Sequence, residues 1–142
     1  MESTNGYYSI VERLALILRN RFPSIPVYIS DKEIKAKSIY IRIFPLSQDL
    51  VSTSSLSRLY EYNFEIVLYY TIVNTKETDY KYYLKYSDML ESIVFENRNN
   101  DIWFDGSIPS IAINSEESNN DSILTTTLSF NCKHSICVSK LI

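Results

Sequence analysis

The stretch Arg58–Val73, RLYEYNFEIVLYYTIV, decides the fold. Aromatic or aliphatic residues occupy every even position from Tyr60 to Ile72, whereas the odd positions mix Leu, Glu, Asn, Val, Tyr and Thr. This period-two pattern predicts a single β-strand with one continuously apolar face and one mixed face. At roughly 3.3 Å per residue the strand would be about 50 Å long, well beyond the usual ~17–20 Å. We therefore expect it to project beyond a compact body and to contact something outside.

Two segments carry the three- and four-residue spacing of amphipathic helices. The first is Tyr7–Arg21, which Pro23 ends because proline disfavours helical geometry at the residue before it. The second begins near Tyr80 and runs to about Glu96, with its apolar residues on one stripe. We expect both helices to bury these stripes against the sheet.

Shorter alternating runs predict further strands on both sides of the long one. Pro45 closes the run before it, since proline cannot donate a ladder hydrogen bond. The serine-rich segment Leu46–Ser57 has no clear period, and we predict a long loop there, of the kind that is usually functional or disordered. The other predicted strands are Val27–Ser30, Ser38–Phe44, Ile102–Asp105, Ile108–Asn114 and Ser122–His134.

Two of these strands would form a hairpin around Gly106 and Ser107, and Ser115–Asp121 would be a second polar loop. Runs of strands separated by a helix are typical of an α+β domain. We predict one domain over residues 1–142: a mostly antiparallel sheet with two long strands and two amphipathic helices packed on one face.

Charge and composition exclude several classes of protein. The net charge of −3 argues against binding to nucleic-acid backbone, which needs a basic face. No signal peptide and no apolar run of about 18 residues is present, so we expect no membrane partner. Cys132 and Cys137 would point to opposite faces of a strand, and a disulfide framework is not expected. These features predict a soluble protein made in a reducing compartment.

The residues offer little for catalysis. His134 is the only histidine and lacks a nucleophile signature nearby, so we interpret it as an exposed residue at a strand end. Two Cys and one His do not make a zinc site of the usual spacing, and two glycines do not make a phosphate-binding loop. Glu61 and Glu65 share a face, where we favour a solvated or interface-lining pair over an acid/base or metal pair. We predict no enzyme activity and no cofactor.

Twelve tyrosines raise the alternative of base stacking. Stacking sheets normally carry interleaved Lys and Arg, whereas the long strand carries Glu61 and Glu65. We therefore assign the tyrosines to the core and to a subunit interface. Both environments suit tyrosine, because its ring is apolar and its hydroxyl can form a hydrogen bond.

The order of elements resembles that of the tail terminator or tail-completion proteins of tailed bacteriophages. The segments that carry the resemblance are the helix Tyr7–Phe22, the proline-marked turn, the strands SIYIRIFP and YEYNFEIVLYYTIV, the helix YKYYLKYSDMLESIV and the final Thr-rich strand. The resemblance implies a small α+β subunit without catalytic residues. It implies a closed ring, a hexamer or dodecamer, at the neck or tail of a virion, with neighbouring neck, connector and tail proteins as partners. The chain would be made in the host cytoplasm.

On this interpretation the ring closes through contacts between two different faces of the subunit. The acidic positions would line a passage for DNA and repel it weakly, but we favour the alternative that these charges are ordinary solvated surface. Two alternatives stay open. A non-viral adaptor or inhibitor domain without catalytic activity would behave as a monomer, and a hydrolase would need His134, a serine and a carboxylate within hydrogen-bond reach of one another. The candidate interface residues are Leu46, Asp49, Leu50, Tyr60, Glu61, Tyr62, Glu65, Glu116 and Glu117, and Asp105 joins the acidic set near DNA.

Overall fold

A computed structural model describes residues 6–30, 38–73, 77–118 and 121–137 of the chain. Helix α1 begins at Gly6, one residue before the predicted start, and α2 begins at Glu77, three residues before it. Both helices end where the sequence predicts. The elements in chain order are α1 (Gly6–Arg21), β1 (Val27–Ile29), β2 (Ile39–Thr53), β3 (Ser57–Val73), α2 (Glu77–Glu96), β4 (Phe104–Ser118) and β5 (Asp121–Cys137).

The described strands form one sheet in the order β1-β2-β3-β5-β4. Only β1 and β2 are parallel, and the other pairs are antiparallel. Both helices contribute side chains to one core on one face of this sheet. The predicted α+β class, with a mostly antiparallel sheet and helices on one face, is confirmed.

The long strand β3 lies at the centre of the sheet. It pairs with β2 from Arg58 to Tyr70 and with β5 over its whole length, from Ser57 to Val73. From Arg58 to Tyr70, β3 therefore has no unpaired backbone edge to offer a neighbouring chain, because it is paired on both sides. Among the described strands, the open edges belong to β4, to the outer side of the short β1 and to the part of β2 beyond the β1 pairing.

The apolar parity of β3 forms the floor of the core, as its pattern predicts. From Tyr62 to Ile72 its even-numbered side chains are all buried under the helices. Two buried polar residues of β5, Ser122 and Thr126, interrupt the apolar face, and Thr126 hydrogen-bonds the hydroxyls of Tyr83 and Ser87 on α2 at 2.5 and 2.6 Å. These bonds satisfy the buried hydroxyls and fix where α2 lies along β5.

The predicted loop Leu46–Ser57 is wrong, because β2 continues through Pro45 to Thr53. The register against β3 shifts between Pro45 and Ser47, where the chain bulges. Proline is compatible with a bulge on an edge strand, since no neighbouring strand in the described part of the chain needs its missing N–H. The turn is therefore only three residues, 54–56, and β2 and β3 form one long hairpin.

The hairpin predicted around Gly106 and Ser107 is wrong, although Ile108–Asn114 is a strand as predicted. Residues 104–118 form the single edge strand β4, which pairs with β5 with register shifts near Ser107 and Ser110. Most of the predicted loop Ser115–Asp121 belongs to the β4–β5 hairpin, and residues 119 and 120 lie outside the described ranges. A polar edge strand has the composition of a loop, and that explains the wrong prediction.

A compact segment of asparagines joins α2 to β4. The Asn100 side chain accepts hydrogen bonds from the backbone N–H of Ile102 and of Trp103 at 2.7 and 2.9 Å. Asp105 takes a left-handed backbone conformation with φ of 56°, and the Asn99 side chain accepts its N–H at 2.8 Å. Here the chain changes direction sharply and has no helix or strand hydrogen bonds, so the asparagine side chains bind the backbone N–H groups instead.

Candidate subunit interface

The end of the β2–β3 hairpin extends beyond the helices. We call this region the arm: residues 46–53 of β2, 57–61 of β3, the turn between them and residues 133–137 of β5, which pair with β3. Every residue from Leu46 to Leu56 is exposed. Four aliphatic side chains of the arm are each about half exposed, namely Leu46, Leu50, Val51 and Leu56. Clustered exposed aliphatic groups of this kind are typical of a contact surface.

The arm also carries an unfavourable pair of charges. Asp49 on β2 lies directly opposite Glu61 on β3, and Glu61 lies opposite Lys133 on β5. The Lys133 ammonium is bound to Asp105 at 2.6 Å, and this carboxylate raises the lysine pKa through its hydrogen bond and its charge. Among the described residues neither Asp49 nor Glu61 forms an ion pair, although the charge of Glu61 also contributes to the raised pKa of Lys133.

Away from the end that holds Tyr40 and Tyr69, the sheet face opposite the helices is lined mainly by small polar side chains. Hydrogen bonds join Asn63 to Ser47 at 3.0 Å and Ser107 to Asn131 at 2.6 Å across neighbouring strands. We call this the open face. It resembles neither an apolar interface core nor a basic nucleic-acid surface.

Most of the predicted acidic positions lie on the open face. Glu61 and Glu65 are there as predicted, and Glu116 shares it because it pairs with Ile123, which has the same parity on β5 as Lys133. Glu117 pairs with the buried Ser122 and therefore belongs to the helix side. The sequence placed Glu116 and Glu117 together, whereas the strand separates them.

One end of the open face holds a cluster that the sequence analysis missed. Tyr40, Val67 and Tyr69 are buried there, with Tyr40 and Tyr69 stacked at 4.5 Å. The buried Arg42 donates to the Tyr69 hydroxyl at 2.6 and 3.2 Å and lies 4.3 Å from the centre of the Phe44 ring. The alternating pattern of the strand predicts an exposed side chain at position 42. The rings of Phe44 and Tyr69 instead cover the Arg42 guanidinium.

Tyr62 was a predicted interface residue, and the structure places it in the core with no exposed surface. Its hydroxyl packs against Gly6 at the start of α1, where an added Cβ would collide with it. It has no surface to offer a neighbouring subunit. Tyr60, two residues nearer the arm, remains half-buried at the edge of the core.

His134 is not the exposed residue that we predicted. It is half-buried, its Nδ1 hydrogen-bonds the Ile102 carbonyl at 2.7 Å, and its Nε2 is buried without a partner. Its ring lies 6.2 Å from that of Tyr62. Among the described residues no serine or carboxylate hydrogen-bonds this imidazole, so the arrangement that a hydrolase would need is absent there. His134 anchors the α2–β4 connection to β5.

Beside His134 lie two tyrosine hydroxyls that are buried without a partner, those of Tyr7 and Tyr62, whose rings are 4.9 Å apart. Burial raises the pKa of Tyr62 from 10.0 to about 12, and burial followed by the charge of Asp49 raises that of Tyr7 to about 12. Burial also raises the pKa of the Cys132 thiol to about 12. All three groups are therefore neutral at ordinary pH.

We expect Tyr62→Phe to leave stability at pH 7 within about 1 kcal/mol of wild type, because the lost hydroxyl has no protein partner. In the wild type, the unfolded chain ionises this tyrosine above pH 10 while the folded chain does not, so stability falls as pH rises from 10 to about 12. The variant should lose less stability over that range. Urea unfolding at pH 7, 10 and 11.5 measures this, and an unchanged alkaline slope would contradict it. Exposed Tyr8→Phe is the control.

The described residues contain no group of three His, Cys, Asp or Glu side chains that could hold a metal ion. Within the same ranges, no helix is long and apolar enough to cross a membrane. The remaining predicted interface residues, Leu46, Asp49, Leu50, Glu116 and Glu117, are all exposed. The first three lie on the arm and the last two at the far end of β4, so the structure does not bring the two groups together.

No protein-family model matches the chain, and no curated protein matches it. Its fold recurs in 26 chains of solved structures. One of these, a protein whose name states no function, superposes with a TM-score of 0.50 at 14% identity and covers 89% of this chain and 92% of its own. At this identity the likeness shows the fold alone.

Proposed function

We propose that this protein is a structural subunit of a tailed-bacteriophage virion. It forms a closed ring in the neck or tail, joins the tail to the head connector and lets DNA pass. The observation that carries the proposal is the arm, in which every residue from Leu46 to Leu56 is exposed and four aliphatic side chains are each about half exposed. The element order described above, which resembles that of tail terminator proteins, supplies the viral context.

The two open edges of the sheet support assembly as well. β4 and the arm part of β2 lie at opposite edges, so a contact between one copy's arm and a different face of the next would be heterologous. Heterologous contacts repeat around a closed ring when the rotation between copies closes. A ring of this kind leaves the mixed faces of its subunits available for a channel.

The open face suits a passage for DNA. It carries Glu61 and Glu65 among neutral hydroxyls and amides. Its two described cations near these carboxylates are engaged, since Lys133 binds Asp105 and Arg42 is buried against Tyr69. Such a face offers phosphate groups weak repulsion and no strong binding site, which would let a duplex slide.

We expect the purified protein to form rings, alone or with the neck and tail proteins encoded beside it. Light scattering gives the mass, and imaging of the particles gives the number of subunits, which we expect to be six or twelve. A protein that stays monomeric at high concentration and binds none of those proteins would contradict the proposal. That result would favour an adaptor or inhibitor domain.

A further inference from the structure

The outer side of β4 is an open edge of the sheet. β4 pairs with β5 on one side, and no other described strand lies on its other side. From Ser110 to Ser118 the pairing has no register shift, and residues 109–117 are all exposed. The arm part of β2 is also open, but its register shifts before Ser47 and again before Ser52. β4 therefore offers the longest regular open edge among the described strands.

This edge lacks the devices by which edge strands usually avoid other chains. Residues 110–115 contain no charged side chain and no proline. Ile111 and Ile113 are 41% and 54% exposed. They pair with Leu128 and Thr126, which are buried under the helices, so both isoleucines lie on the helix side of the sheet. An uncharged edge with exposed β-branched side chains is a template for a further strand.

The sequence of the edge is symmetric in character about Ala112. Ile111 and Ile113 flank this alanine, and the small polar residues Ser110 and Asn114 lie outside them. If two copies of the strand run antiparallel and cross at Ala112, each Ile111 lies directly opposite the other copy's Ile113 on the same face. Ser110 and Asn114 oppose each other in the same way on the open face. No other two-fold centre in this segment places both isoleucines opposite isoleucine.

We propose that two copies of the protein pair through their β4 edges about a two-fold axis at Ala112. Their five-stranded sheets then form one continuous sheet, with the four isoleucines together on the helix side. Glu116 and Glu117 of each copy lie opposite Ile108 and Ser107 of the other, so no carboxylate faces a carboxylate. The pairing occupies the open side of both β4 strands and therefore stops at two copies.

The arm of a second copy suits this edge less well. It carries Asp49, and its two register shifts interrupt the regular run of backbone groups that a ladder needs. The β4 edge is uncharged and regular over residues 110–114, the stretch that the two-fold pairing uses. A second β4 is therefore the occupant that matches it in both backbone and side chains.

The β4 pair is separate from the contacts of the proposed ring and goes beyond them. It joins one surface to itself, whereas the ring closes through contacts between two different surfaces. Pairs can therefore form in the free protein, without neck or tail proteins. A ring built from such pairs contains an even number of copies, which agrees with the expected ring sizes.

Opposite charges at one position test the two-fold register. Because the exposed Ala112 lies on the axis, Ala112→Lys and Ala112→Glu each place two like charges opposite each other. We expect each variant alone to raise the concentration for half-dimerisation about tenfold or more. An equimolar mixture of the two should recover the pairing, because each pair then combines opposite charges. Ala112→Gln is the neutral control and should dimerise as the wild type does. Sedimentation velocity at several concentrations measures all of these samples.

Cysteine trapping tests the geometry independently of charge. In a Cys137→Ser background, which removes the exposed native thiol, Ala112→Cys should give a disulfide-linked dimer on oxidation. Directly opposite residues have Cα atoms about 5 Å apart, within disulfide reach. Asn114→Cys is the matched control, since it is exposed on the same face. Its two copies would lie about 14 Å apart and should not crosslink.

The outcomes separate this contact from the ring. Wild-type dimers or rings that persist in both charge variants and give no crosslink from Ala112→Cys would overturn the β4 pair and leave the ring standing. Crosslinks that require Gln48→Cys on the arm beside Ala112→Cys would show that β4 meets the arm, and would also overturn the pair. Dimers that behave as expected without ever forming rings would support the pair and contradict the ring. A wild-type protein that is monomeric at every concentration would overturn both.

Discussion

Val67→Pro is expected to abolish the folded state. Val67 lies in the middle of β3, opposite Arg42 on one side and Thr127 on the other. Whichever neighbour its backbone N–H faces, that group is part of a ladder, and proline removes it. The carbonyl left without a donor costs about 1–3 kcal/mol, and the ring also pushes the strands apart. We expect a total well above about 4 kcal/mol, comparable to the lower part of the roughly 5–15 kcal/mol that holds a domain together, so the folded state should be lost.

The matched control is Val67→Ala, which keeps the N–H and removes only packing against Tyr40 and Tyr69. It should unfold cooperatively at a stability about 2 kcal/mol below wild type. Far-ultraviolet circular dichroism and urea titration measure both variants. A proline variant that unfolds cooperatively with the midpoint of the alanine variant would show that β3 is not hydrogen-bonded on both sides at this position.

The sequence predicts β3 well because each of its residues follows one rule. The helices cover one face of β3 from Tyr62 to Ile72. Every second residue must therefore be apolar, and this gives the sequence a period of two. The position of β3 in the sheet does not follow from that pattern. A strand in the centre and a strand at the edge have the same alternation, and only the pairing partners distinguish them.

The arm and the full extent of β4 could not be predicted because most of their residues lack a buried face. Residues 46–53 show no alternation of apolar and polar side chains, because both faces of this part of β2 are exposed. Pro45 resembles the end of a strand, although proline is tolerated on an open edge. The same reasoning applies to residues 110–117, which are exposed throughout. A strand that is held only by backbone hydrogen bonds needs no apolar side chains, so its sequence shows no period of two.

The candidate interface was predicted in part for the same reason. Leu46, Asp49 and Leu50 were assigned from a supposed loop and are exposed on a strand, so the residues fit the proposed surface while the structure around them differs. Tyr62 was misplaced because a tyrosine has the same character in a core as at an interface. Its close packing against Gly6 depends on two segments far apart in the chain.

Trp103→Ala is expected to destabilise the protein by about 3–5 kcal/mol, the usual effect of removing a large buried aromatic side chain. Trp103 is fully buried, its ring packs edge-on against Phe130 at 6.1 Å, and its indole N–H donates to the Asn97 carbonyl at 2.8 Å. It therefore ties the α2–β4 connection to the floor of the core. Its loss also frees the start of β4, so hydrogen exchange of that strand should rise more than that of β3.

The neighbouring Phe104→Ala is the control, since Phe104 is 44% exposed and has little packing to lose. It should lower stability by less than about 1 kcal/mol. Trp103→Phe should fall between the two, because it keeps a ring against Phe130 and leaves the Asn97 carbonyl without its donor. Urea unfolding followed by circular dichroism orders the three variants. Equal stabilities for Trp103→Ala and Phe104→Ala would mean that this connection is held by its asparagine hydrogen bonds and not by the buried indole.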